Sequence, residues 1–120
     1  MASELRVNTL KDASGNNSVA MSTVAEGSGK VWGNLNGSGT IALRDSFNVA
    51  SVVDNTTGQY DFNYTNNMND GNYSAVEGTN ASETWTYDTQ TSKIEVRTLN
   101  SSGSYADASR IHISDFGDLA

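Results

Sequence analysis

The sequence predicts an all-β fold: an antiparallel, jelly-roll-like β-sandwich of about eight strands, preceded by an extended N-terminal arm. Three observations predict it. Asn, Ser, Thr and Gly make up 53 of the 120 residues and proline is absent; the Asn, Ser and Thr side chains compete for backbone hydrogen bonds and collect in turns and extended segments rather than helices. Apolar residues, 36% of the chain, fall in short runs that alternate with polar ones, the period of a half-buried strand. Gly- and Asn-rich turn signals separate these runs at intervals of roughly 8 to 12 residues, the spacing of sandwiches and barrels.

The first 29 residues form the arm, and residues 30–120 the sandwich. In the arm, Leu5, Val7 and Leu10 belong to one extended signal, followed by the turn cluster Asp12-Ala13-Ser14-Gly15-Asn16-Asn17. Residues 18–29 are small and loosely apolar, too thin to fold alone, so the arm is expected to use a partner's surface. Strands are expected at 30–35, 40–44, 48–54, 59–64, 72–77, 83–87, 93–99 and 110–114. Asp54-Asn55-Thr56-Thr57-Gly58 has the composition of a tight hairpin loop, with Gly58 free to take positive φ.

Alternation is cleanest in two strands. Tyr60, Phe62 and Tyr64 share one face against Asp61 and Asn63, and Ile94 and Val96 do so with Leu99 slightly out of phase. These carry the expected core, joined by Trp32, Leu35, Ile41, Leu43, Phe47, Val49, Val52, Trp85, Ile111 and Ile113. A core this small is near the margin of stability, because burial at roughly 25 cal/mol per Å² is largely offset by about 1 to 2 kcal/mol per ordered residue. Oligomerisation is the expected remedy, since a chain without cysteine has no disulfide to help it.

The formal charge of −7 and seven scattered basic residues argue against nucleic acid, which needs clustered Lys and Arg. No apolar run approaches the roughly 18 residues that span a bilayer, and the first residues carry no apolar leader, so membrane insertion is not expected. Without cysteine there is neither a thiolate nucleophile nor a zinc site of the usual kind.

His112, the single histidine, lies between Ile111 and Ile113 and faces away from them, and no second histidine or cysteine assists it. Asp45, Asp54, Asp61, Glu77, Glu83 and Asp88 offer carboxylates for glycosidase-type chemistry, but their spacing singles out no pair, and a solvated polar face accounts for them. The loop of residues 66–71 places Gly71 where a calcium loop needs glycine but puts Met68 at a ligand position. No catalytic residue, metal or cofactor is therefore expected.

Trp85 and Tyr87 share a strand face. Core packing is their first expectation, and a platform for a sugar ring or a partner subunit the second. Tyr73 and Tyr105, beside polar loops, are expected at the surface. The candidate binding residues are thus Asn69, Asp70, Tyr73, Trp85, Tyr87 and Tyr105, with Leu5, Val7 and Leu10 as the assembly arm.

An ordered series of segments carries a family likeness. Leu5-Arg6-Val7-Asn8-Thr9-Leu10-Lys11-Asp12-Ala13-Ser14-Gly15-Asn16 is followed by Gly29-Lys30-Val31-Trp32, Gly37-Ser38-Gly39-Thr40, Arg44-Asp45-Ser46-Phe47-Asn48-Val49 and Asp54-Asn55-Thr56-Thr57-Gly58-Gln59-Tyr60. Over about residues 4–75 this resembles small repeats and terminal modules of tail-fibre and other appendage proteins from tailed bacteriophages, notably those of marine bacteria and cyanobacteria. The resemblance implies a non-enzymatic virion structural protein, made in the host cytoplasm and homotrimeric. Its N-terminal segment would attach to other virion proteins of the capsid or tail. The short chain fits a capsid-decoration or compact tail module, and the loops suggest host surface glycan as an alternative partner.

Overall fold

A computed structural model describes residues 2–120. The chain opens with two short strands, β1 (Thr9–Lys11) and β2 (Ser18–Ala20), and a helix α1 (Met21–Gly27). The sandwich then follows as β3 (Val31–Asn36), β4 (Ala42–Phe47), β5 (Val49–Thr56), β6 (Gln59–Tyr64), β7 (Ser74–Thr79), β8 (Glu83–Thr89), β9 (Lys93–Leu99) and β10 (Ile111–Phe116). One antiparallel sheet has the order β4-β3-β10-β7 and the other β5-β6-β9-β8. The expected all-β sandwich is present. Its order differs from a strict jelly roll in keeping the hairpins β3-β4, β5-β6 and β8-β9 within single sheets.

Strands β6 and β9 occupy their predicted bounds because alternation is unbroken there. Tyr60, Phe62 and Tyr64 face inward from β6, and Ile94, Val96 and Thr98 from β9. Period two puts Thr98, not Leu99, beside Ile94 and Val96; its hydroxyl is satisfied by donating to the Ala106 carbonyl at 2.6 Å. Opposite them, Val31 and Leu35 of β3 and Ile111 and Ile113 of β10 complete a core that also takes Met68, Tyr73 and Ala108.

Three large residues expected in that core lie outside it: Trp32, Phe47 and Trp85 are 41%, 53% and 48% exposed. The reason is parity. Val31, Gly33 and Leu35 point inward, so Trp32 points outward, and Trp85 pairs with the outward Arg97. Ile41, Leu43, Val49 and Val52 pack only partly against the core. Tyr73, expected at the surface, is buried.

The turns keep the chemistry expected of them. Gly58 takes φ +67 in the β5-β6 hairpin, and its N–H donates to Asp107 Oδ1 at 2.8 Å, tying the loop of residues 100–110 to the hairpin. Between β4 and β5 the chain crosses from one sheet to the other at Asn48, the one non-glycine residue with positive φ among those described. Asn48 Oδ1 accepts from the Asn66 N–H at 2.7 Å and Asn48 Nδ2 donates to the Asn66 carbonyl at 3.0 Å, which fixes this corner.

The N-terminal segment departs further from expectation. Only Thr9–Lys11 of the extended signal is paired, with Ser18–Ala20 across a turn held by Asp12. Asp12 accepts from Ser14 Oγ, the Asn16 N–H and Asn17 Nδ2, contacts that hold its carboxyl below its usual range. The helix was not foreseen; Met, Ala and Glu favour it locally, and Lys30 caps its C-terminal end by donating to the Ala25 and Ser28 carbonyls. No described residue before Val31 is buried.

Adding a methyl group separates strain from crowding at two glycines. Gly39, at φ +64, has open space around it, whereas a Cβ on Gly58 would lie 2.5 Å from the Thr98 carbonyl oxygen. Gly39→Ala is expected to cost about 1 kcal/mol from backbone strain alone. Gly58→Ala should cost at least about 2 kcal/mol more, read as a shift of the urea midpoint.

Candidate binding and assembly surfaces

The candidate residues separate into three places. Asn69, Asp70 and Tyr73, with Asn72, Gly117 and Asp118, line a polar cleft of about 190 Å³ at the end of the sandwich where the β6-β7 connection meets the C-terminal residues. Asp70 Oδ1 accepts from the Asn72 N–H at 2.8 Å, and the Asn69 N–H donates to the Asp118 carbonyl at 2.8 Å. Tyr73 contributes a wall, but its hydroxyl points into the protein.

That hydroxyl belongs to a buried series absent from the sequence reading. Asp115 Oδ2 lies 2.8 Å from Tyr64 Oη, which lies 2.7 Å from Tyr73 Oη, which in turn reaches the Lys93 and Gln90 carbonyls at 3.1 and 3.2 Å. Carbonyls only accept, so three links in series need three protons, and the two phenols supply two. With its carboxyl ionised, Asp115 accepts from Tyr64 and one downstream link goes unfilled. With the carboxyl protonated, every link carries a proton. Burial pushes the Asp115 carboxyl up to about 6, partly offset by the Tyr64 contact, and Glu77 adds to the rise. Burial likewise raises the Tyr64 phenol and pushes Tyr73 up to about 12. Asp115 Oδ1 meets no donor among the described residues.

Trp85, Tyr87 and Tyr105 gather on the outer face of the β5-β6-β9-β8 sheet around Arg97, which the sequence reading had not included. The guanidinium lies 3.1 Å from the Tyr87 ring centroid and 5.5 Å from that of Tyr105, whose hydroxyl accepts from Arg97 Nη1 at 2.8 Å. Glu95 pairs with Arg97 at 2.9 Å, and Trp85 meets Tyr87 edge-on at 6.5 Å between ring centroids. Period two puts Trp85 and Tyr87 on the same side, and a β-bulge between Thr86 and Asp88 leaves Tyr87 as the extra residue without a partner on β9. The assembly is a charge-compensated aromatic platform.

The third place is the arm, where Leu5, Val7 and Leu10 are all exposed, Leu5 by 80%. A further apolar area on the opposite sheet also escaped the sequence reading: the outward side of β4-β3-β10-β7 carries Trp32, Phe47, Val76 and Phe116.

The residues weighed for catalysis have structural neighbours of their own. His112 is exposed between Asn34 and Gly78 on the outer face. Asp61 binds Lys93 at 2.7 Å and raises its pKa, and Glu77 accepts from Thr86 Oγ1 across the two sheets at 2.5 Å. Among the described residues no three His, Asp or Glu side chains converge as metal ligands would. Compared with known protein families, with characterised proteins and with solved structures, the chain gives no match.

The Asp115 series sets a pH dependence. A carboxyl raised from 3.8 to about 6 in the folded state favours folding most below pH 4, and that contribution falls as pH rises through about 6. The total is about 3 kcal/mol at 1.36 kcal/mol per unit. Asp115→Asn replaces the carboxyl with an amide that donates to Tyr64 at every pH. Relative to the parent chain, the variant should gain about 2 kcal/mol of urea stability between pH 4.5 and pH 7.5. A difference independent of pH would exclude the titration.

Proposed function

We propose that this chain is a non-enzymatic structural protein of a bacteriophage particle, of tail-fibre or capsid-decoration type, which self-associates and attaches through its N-terminal arm while the sandwich faces outward. The observation that carries this reading is that the arm folds without a core. Its two-stranded hairpin and seven-residue helix contain no buried residue, and neither element is stable alone in water at that size. Such elements persist when a second surface covers their apolar side. The radius of gyration, 17.3 Å against about 14 Å for a compact chain of this length, reflects an arm held away from the body. The ordered likeness to phage appendage modules supplies the setting, the trimer and the virion location.

A second reading, binding of host surface glycan, is favoured by the Arg97 platform. Three aromatic side chains between 40% and 53% exposed surround a guanidinium already neutralised by Glu95, a surface suited to the apolar face of an uncharged sugar. Binding to a host polysaccharide array should then fall at least roughly tenfold in Trp85→Ala, the loss of one good aromatic contact. Equal binding by parent and variant would remove this reading.

The assembly reading is tested by deleting residues 1–29. All the buried core residues lie at or after Val31, so the shortened chain should fold with a β-type circular-dichroism spectrum. It should sediment as a monomer and fail to attach to particles. Normal decoration by the shortened protein would refute the role given to the arm.

A further inference from the structure

We infer that the outward face formed by Trp32, Phe47, Val76 and Phe116 receives the N-terminal arm of a second copy of this chain. The inference rests on the self-association reading and names the surface that completes it.

The register makes the face continuous. Phe47 pairs with Trp32, Trp32 with Ser114, and Ser114 with Val76, so one row crosses all four strands of the sheet, and Phe116 lies on the same side two residues along β10. These four side chains are 37% to 57% exposed. Four strands span about 14 Å at the usual spacing, and the extended stretch from Leu5 to Leu10 spans about 17 Å, so one arm segment covers the row.

Charge selects the occupant. Residues 1–30 hold three basic and three acidic side chains, and residues 31–120 hold four basic and eleven acidic, so the whole −7 resides on the sandwich. Docking two sandwiches directly would set −7 against −7, whereas an arm of zero net charge adds no such repulsion. The place where the arm leaves the body argues for exchange. Gly29 lies against the Phe116 ring, and the Lys30 N–H donates to the Asp115 carbonyl at 2.8 Å. The Met21 N–H donates to the Asn8 carbonyl at 2.9 Å, holding the strand end against the helix, and no residue of either element is buried. Donor and acceptor regions are therefore neighbours on each copy, and a closed ring uses every arm and every face once.

The absence of cysteine makes the contact directly measurable. Full-length Val7→Cys is mixed with full-length Val76→Cys under mild oxidation, and, as a control, with Val53→Cys, an exposed position on the opposite sheet. The 7–76 disulfide should form roughly a thousandfold faster than the 7–53 disulfide, because docking holds the thiols at millimolar rather than micromolar effective concentration. Phe47→Lys, a change at an exposed position, should leave the β spectrum intact and convert the sedimenting oligomer to monomer. If the parent chain is oligomeric but Phe47→Lys is too, and the two disulfides form at equal rates, the receiving face is wrong while self-association stands. If the parent chain sediments as a monomer and neither disulfide exceeds its collision rate, both readings fall.

Discussion

Everything in this molecule depends on how few side chains point into the space between the two sheets. Tyr60, Phe62 and Tyr64 from β6 and Ile94 and Val96 from β9 meet Val31, Leu35, Ile111 and Ile113 from the opposite sheet. The remaining strands contribute mainly half-buried residues. In a chain so rich in Asn, Ser and Thr, this one layer is the whole buried core, and large apolar side chains, Trp32, Phe47, Val76 and Phe116 among them, are left on the outer faces. The arm makes no layer of its own. Association between copies would cover the exposed apolar residues at both places together.

The same economy shapes the polar interior. A sandwich short of aliphatic residues fills its end with tyrosines, whose hydroxyls must then find partners. Tyr60 finds Gly37 and Asp107, and Tyr64 and Tyr73 find each other and Asp115. Burying a carboxyl is unfavourable when it is ionised, and this is why Asp115 is raised. Its side chain also ties β10 to β6, with Tyr64 Oη and Asp115 Oδ2 meeting across 51 residues of sequence.

Much of the fold was legible because period two is a local signal. Strands β6 and β9 alternate without interruption, and Gly58 marks its hairpin by composition alone. The misplaced core residues have one cause: on a strand, parity decides burial over side-chain size. Trp32 and Leu35 are three apart and cannot share a strand face, so only one of them could be internal, and the neighbours Val31 and Gly33 leave Trp32 outside. The same count separates Thr98 from Leu99. The aromatic set of the platform was named in part, but Arg97 was not, since pairing of β8 with β9 is needed to bring it to Trp85. Tyr73, Tyr64 and Asp115 carry no local sign of their association. The short helix was hidden by the overall composition, which disfavours helix while residues 21–27 do not.

Amide hydrogen exchange across the arm, measured over a range of protein concentrations, tests the central claim most directly. If the arm is ordered by a second copy, the amides of Leu10, Val19 and the helix will exchange freely in dilute solution and become protected as concentration rises, while those of β6 and β9 stay protected throughout. Arm amides equally protected at every dilution would show an arm that folds without a partner. Arm amides equally exposed at every concentration would show one that never docks. Either would contradict the account.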